Sequence, residues 1–303
     1  MKFKVVGIGE VLWDLLLGGK QLGGAPANFA YHARALGADA RIVSRVGQDA
    51  HGREVLKRLQ QLGVPTDCIE LDPHSPTGTV SVEVASDGQP QFTIHENVAW
   101  DRIAGDENAR RAVAEANAVC FGTLAQRSEA SRASIRRLLA LAPAAALRIL
   151  DVNLRQHFYS REIIEQSLAH TNVLKMNDAE LPLLAEMFDI TGDSRAQLSE
   201  FASRYRLRAV ALTRGGNGSL LLADGRWSDH PGVRAKVVDT VGAGDSFTAA
   251  MTLGLLAGRE LDEINSRANQ VAAYVASCAG GTPELTTELR SLFTERDTTR
   301  IAK

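Results

Sequence analysis

Short apolar runs that end in glycine or a polar residue recur along this chain, separated by helical segments closing on Leu-Gly, and that alternation leaves few folds open. Residues 3–8 form the first run, ended by Gly9, as expected of a strand buried on both faces of a parallel sheet. Residues 31–36 read as a helix closed by Gly37 before a strand at 41–46, and residues 53–62 repeat the pattern, closing on Gly63 before a strand at 68–71. Strand patterns return at 118–121, 148–153, 172–176 and 209–213, the last followed by a permissive turn and a strand at 219–223 that pairs back on it. This is the signature of an α/β fold. With 303 residues and 45% hydrophobic content, the chain suits one large domain with an appendage. The appendage shows where the period changes: residues 79–84 and 91–95 alternate on either side of Asp87-Gly88, which predicts a hairpin. Together with residues around 10–24 it is expected to form a lid, so that the lid segments run from about 10–24 and 76–100.

The chemistry concentrates in Val238-Asp239-Thr240-Val241-Gly242-Ala243-Gly244-Asp245-Ser246-Phe247. A turn of small residues leads into a largely apolar helix at 247–256, and the first turn of such a helix has backbone N–H groups without partners, where the dipole favours negative charge. Glycine lets the main chain approach a phosphate closely, and Asp245 stands in the first turn facing whatever the anion site holds. The alternative for the bare tetrapeptide is a loop whose aspartate caps the helix.

Other candidates carry the same double reading. Asp14 follows the first strand and lies where ligands collect in a parallel sheet; it suits two sugar hydroxyls or is a solvated loop carboxylate. Gly23 and Gly24 precede an alanine-rich helix with Asn28 in its opening turn, where an amide suits a polyol and also suits a cap. Asn177 and Glu180 sit one helical turn apart, able to orient metal-bound water or to form a capping box. A helix at 261–278, with Ala268, Val271, Ala272 and Val275 at helical spacing, could line an apolar slot for adenine, although these positions also suit the core.

Several classes are excluded. Gly7-Ile8-Gly9 lacks the third glycine of a dinucleotide fingerprint, since Leu12 stands there, and Gly19-Lys20 lacks the upstream glycine of a Walker loop. Cys68, Cys120 and Cys278 are scattered and form no CxxC pair, arguing for a reducing compartment and against a zinc site. The seven histidines have no metal-binding spacing. The 34 basic and 36 acidic side chains are interspersed, which argues against nucleic-acid and membrane partners. The expectation is a cytoplasmic protein acting on small molecules, with a frayed end around Arg296-Asp297-Thr298-Thr299-Arg300.

Taken in order, Gly23-Gly24 with Asn28, the Asn177 and Glu180 pair, Thr213 with Gly215 and Gly218, and above all Asp239 to Phe247 resemble the ribokinase-like (PfkB) sugar kinases over nearly the whole chain. The resemblance implies a three-layer α/β/α, Rossmann-like, mainly parallel sheet with a small β-sheet lid, forming a single kinase domain over residues 1–303. It implies transfer of the γ-phosphoryl group of ATP, with Mg2+, to a sugar hydroxyl. Asp245 then matches the general base and Gly242, Ala243 and Gly244 the anion hole. Asp14, Gly23, Gly24, Asn28 and Arg155 match the sugar side. Asn177, Thr213, Gly215, Gly218, Gly242, Gly244 and Asn269 match the nucleotide side. Glu180 matches an indirect magnesium position, and Asp239 a monovalent-cation position at which potassium dependence stays open.

Ala25 replaces the lysine of ribokinases in Gly-Gly-Lys-x-Ala-Asn, and Asp151-Val152-Asn153-Leu154-Arg155 is similar to fructokinases and 2-keto-3-deoxygluconate kinases, so fructose is the expected sugar. Ribokinase, 2-keto-3-deoxygluconate kinase, nucleoside kinase and a catalytically silent sugar or nucleotide sensor remain the alternatives. The helix dipole is expected to hold Asp245 ionised, and the exposed edges of a lid sheet leave a homodimer through the lid open.

Overall fold

The computed structural model describes residues 2–16, 18–84 and 90–294. The first strand, β1 (Lys4–Ile8), has β4 (Asp39–Gly47) and β5 (Ile69–Asp72) on one side. On the other side follow β8 (Ala118–Phe121), β9 (Leu147–Asp151), β10 (Val173–Asn177) and β11 (Ala209–Thr213), all parallel. Two antiparallel strands, β12 (Ser219–Ala223) and β13 (Arg226–His230), complete a nine-stranded sheet. The chain turns outward in both directions from β1, which makes the carboxyl ends of β1 and its neighbours a topological switch point, the usual place for a ligand.

Helices cover both faces because the strands bury both. Along β1, Val5 faces one layer and Val6 and Ile8 the other. The first layer is α1 (Ala25–Ala35), α2 (Ala50–Gln61), α8 (Ala243–Leu256), α9 (Leu261–Ala276) and α10 (Thr287–Thr294). The second is α3 (Glu107–Ala114), α4 (Glu129–Leu139), α5 (Arg161–Leu168), α6 (Glu180–Met187) and α7 (Ser194–Arg204). Helix α8 is apolar nearly all round because it runs between the sheet, α1 and α9, and it buries every residue from 246 to 255. Of the four apolar positions that suited either the core or an adenine slot, Ala268, Val271 and Val275 of α9 are fully buried in the first layer, and Ala272 packs against it partly buried.

A second sheet joins β3 (Gly19–Gly23), β2 (Leu12–Leu16), β6 (Gly78–Val84) and β7 (Pro90–Ile94) in that order. The expected hairpin is β6 with β7, although its Asp87-Gly88 turn lies outside the described residues, as does the segment 296–300. The two halves of this sheet meet differently from an all-antiparallel insertion, since β2 and β6 are parallel. Both strands follow parallel strands of the main sheet, β1 and β5, which deliver the chain at the same edge, so both leave in the same direction. Strand β13 escapes the sequence reading because its face is polar, yet Asp224 and Gly225, both at positive φ, form the two-residue turn that selects a hairpin. No helix among the described residues is long and apolar enough to cross a membrane.

Candidate active site

Helix α8 starts at Gly242, whose φ of +77° and whose approach to the next loop both demand glycine: a Cβ there would lie 2.3 Å from Gly281 O. Ala243, Gly244 and Asp245 make the first turn, in which the Ala243 N–H donates to Thr240 O at 3.3 Å and the N–H groups that follow are directed along the axis. Asp245 does not cap the helix; no side-chain cap bond is made. Its Oδ2 accepts a hydrogen bond from Asn28 Nδ2 at 2.8 Å, joining α8 to α1 across 217 residues of sequence. Asn28 is not a cap either. It is buried within α1, and its Oδ1 has no hydrogen-bond partner among the described residues. Asp245 departs from the expectation of a fully ionised group. Burial, reinforced by the Asp151 carboxylate, pushes it up to about 6, against the opposing pull of the Asn28 bond, Lys175 and Arg155.

Asp14 lies on β2 of the small sheet, half-buried, and desolvation raises it to about 6, with Asp239 adding and Arg155 opposing. Gly23 stands beside it because a Cβ at that position would meet Asp14 Oδ2 at 2.4 Å. Gly24 caps α1 at φ +112°, with Glu10 O where a Cβ would go. Arg155 is exposed on the loop after β9, and the residues on either side of Leu154-Arg155, Asn153 and Gln156, hold positive φ. Two non-glycine residues in that region mark a segment held in place by its surroundings. Gln156 Nε2 donates to Phe92 O of β7, tying this loop to the small sheet.

On the other side of α8, Asn177 and Thr213 are register partners at the ends of β10 and β11. Asn177 Oδ1 accepts from the N–H groups of Ala179 and Glu180, while Glu180 Oε2 accepts from Asn177 N at 2.8 Å, the reciprocal geometry of a capping box. Glu180 Oε1 also accepts from Leu154 N, so this carboxylate anchors the Arg155 loop. Gly215 and Gly218 form the turn into β12, and a Cβ at Gly218 would lie 2.0 Å from His230 O. Asn269 sits beside this turn on α9, but its amide nitrogen is committed to Ser219 Oγ and Asn265 O. Asp239 ties two loops together, accepting from Val241 N and Gly280 N.

Three residues outside the candidate site residues read from the sequence complete the cluster. Glu10, just after β1, is buried, bonds Ala25 N at the start of α1, and is raised to about 7 by burial and by the Asp245 charge. Asp151 at the end of β9 and Lys175 in β10 form a buried ion pair at 2.9 Å. The signal for Lys175 was present: a lysine inside an otherwise apolar strand has to be paired. A concavity of about 680 Å³ lined by Arg45, Asp72, His74, Arg102 and Arg137 shares none of these residues, and Arg45 there is already paired with Asp72 and Glu70.

The mainly parallel sheet, the small β sheet and the start of α8 beside the Asp245 carboxylate form the architecture of a sugar kinase, as comparison with known proteins shows. A solved sugar kinase from Pyrococcus horikoshii in complex with ATP superposes with a TM-score of 0.80 at 27% identity, over 95% of this chain and 99% of that one. In sequence, the chain is 28% identical to a putative sugar kinase of Pyrococcus horikoshii over 89% of its own length and 88% of the relative. It is also 28% identical to a fructokinase of Klebsiella pneumoniae, over 90% and 91% of the two chains. Residues 18–288 match the model of the pfkB family carbohydrate kinases, and the chain belongs to that family.

Proposed function

We propose that this carbohydrate kinase transfers the γ-phosphoryl group of ATP to a hydroxyl of fructose, with Asp245 as the base. The observation that carries the reading is the Asn28 to Asp245 hydrogen bond, which sets a carboxylate titrating near 6 beside the first turn of α8. As the sugar oxygen bonds to phosphorus and the bond from phosphorus to the leaving ADP oxygen breaks, the hydroxyl proton passes to Asp245. The N–H groups at Gly242, Ala243 and Gly244 hold the charge on the transferring group. In this reading Asp14, Gly23, Gly24, Asn28 and Arg155 surround the sugar. Asn177, Thr213, Gly215, Gly218 and Asn269 lie on the nucleotide side. The small sheet is a lid of the single domain, and its link to the Arg155 loop through Gln156 supports closure over the sugar.

Magnesium fits as an ion carried by phosphate. No three His, Cys, Asp or Glu side chains among the described residues gather as a metal site, and both Glu180 oxygens already accept backbone N–H groups. When bound, it neutralises charge on the outer phosphate oxygens. Asp239 is the acidic candidate for a monovalent cation, which would strengthen a loop link that the chain already makes through Val241 and Gly280.

Fructose is preferred over ribose and 2-keto-3-deoxygluconate in this reading because Ala25-Pro26 stands where ribokinases carry lysine. The name of the Klebsiella pneumoniae relative points the same way. The test is kcat/KM for purified protein over a panel of sugars and nucleosides. A higher value for ribose than for fructose overturns the substrate assignment, and turnover confined to a nucleoside overturns the sugar.

A further inference from the structure

We infer that Lys175 is a positioning residue for phosphoryl transfer: its ammonium, fixed by Asp151 and seated under Gly244, holds the first turn of α8 in place and supplies positive charge beneath it. The inference rests on the reading of that turn as the site of transfer. Lys175 and Asp151 are register partners on adjacent strands, β10 and β9, both directed at α8. Lys175 Nζ lies 2.9 Å from Asp151 Oδ1 and is buried. The other carboxylate oxygen of Asp151 reaches Thr248 Oγ1 at 2.9 Å, and that hydroxyl lies 3.0 Å from Gly244 O. One ion pair therefore bolts the start of α8 to the sheet.

Gly244 supplies the second observation. Its backbone is ordinary helix, so conformation does not require glycine there. A Cβ would meet a single neighbour, Lys175 Nζ, at 3.2 Å. The missing side chain is the space the ammonium occupies. Charge balance gives that placement its meaning. Asp245 is faced by Asp151 from β9, by Glu10 from the end of β1, by the neutral amide of Asn28 from α1, by Lys175 from β10 and by Arg155 from the loop after β9. Glu180 from α6 also acts on Lys175. Burial alone would lower the lysine, but the carboxylates of Asp151, Glu180 and Asp245 outweigh it and keep the ammonium charged. Such a site collects negative charge even before a nucleotide arrives, and a buried cation lies directly under the turn.

The experiment compares Lys175→Met, the double variant Asp151→Asn/Lys175→Met, Gly244→Ala and Gly244→Ala/Lys175→Met, reading kcat, both KM values and melting temperature. Lys175→Met leaves Asp151 unpaired and lowers both melting temperature and kcat. The double variant removes both charges, so the melting temperature recovers while kcat stays at least about tenfold down, with each KM within about threefold. Gly244→Ala costs several-fold in kcat in the wild-type background and little in the Lys175→Met background, because the shorter side chain leaves room for the methyl group. Recovery of wild-type kcat in the charge-free double variant would show a merely structural ion pair and overturn the inference. Equal costs of Gly244→Ala in the two backgrounds would overturn the link to Gly244. Asp245→Asn, run alongside, keeps the two readings apart: if it is inactive while the double variant is fully active, only the Lys175 inference falls, and if it is active, the transfer site itself is wrong.

Discussion

Replacing Asp245 by asparagine tests the base and the electrostatics of its setting in one protein. Asparagine keeps the size, and its carbonyl can still accept the hydrogen bond from Asn28 Nδ2. What disappears is the ionised carboxylate. Burial raises this group from 3.8 to about 6, so the folded chain holds the proton more tightly than the unfolded chain does. Its contribution to stability is fully present below about pH 4 and is lost as pH rises through about 6. Roughly two pKa units correspond to about 3 kcal/mol, an upper figure because the side chain keeps a window to solvent. Asp245→Asn should therefore be more stable than the parent at pH 8 by about 1–3 kcal/mol, or roughly 2–8 °C in Tm, and the two should converge toward pH 4. Asp14 titrates in the same range in both proteins and cancels in the difference, whereas Glu10 loses the Asp245 charge that raises it, which acts in the same direction as the gain at pH 8. The helix dipole considered alone predicts a loss of about 0.3–1 kcal/mol when the charge is removed; burial turns it into a gain. Activity should move the other way, with kcat falling at least about 10²-fold. Melting curves from pH 4 to 8 and steady-state kinetics on the one variant supply both readings. A variant that melts lower than the parent at pH 8 would show that the carboxylate supports the fold, and a stable variant with most of its kcat would remove Asp245 from the chemistry.

Three further substitutions probe other parts of the site. Asp14→Ala should raise the sugar KM far more than the ATP KM, since a charged hydrogen bond is worth roughly 1.5–3 kcal/mol; equal effects on both would assign Asp14 to the fold instead. Gly242→Ala combines a strained φ of +77° with a Cβ 2.3 Å from Gly281 O, so it should lower Tm and kcat together. Gly215→Ala, at φ +54° with nothing within 4 Å, should cost only about 1–2 kcal/mol in stability, and matching losses in the two variants would show that the contact with Gly281 is unimportant.

Much of the fold was legible because it is written in local periods. The runs at 3–8, 41–46 and 118–121 became β1, β4 and β8 of one parallel sheet, and the change of period at 79–84 and 91–95 became β6 and β7. What stayed hidden depends on partners distant in sequence. Nothing near Leu12 or Gly78 announces that their strands pair in parallel, and Glu10 acquires its meaning only when α1 and Asp245 are brought against it.

The Asn177 and Glu180 pair shows a different limit. Spacing offered a capping box and a ligand-orienting pair as rivals, and the capping box is present. Its geometry nevertheless uses only one oxygen of Glu180. The other reaches Leu154 N and fixes the loop that carries Arg155, a contact between positions 154 and 180 that no local period encodes. A local hydrogen-bond explanation therefore does not compete with a functional one here. Capping makes the carboxylate rigid, and a rigid carboxylate is what can hold a strained loop flanked by Asn153 and Gln156 at positive φ.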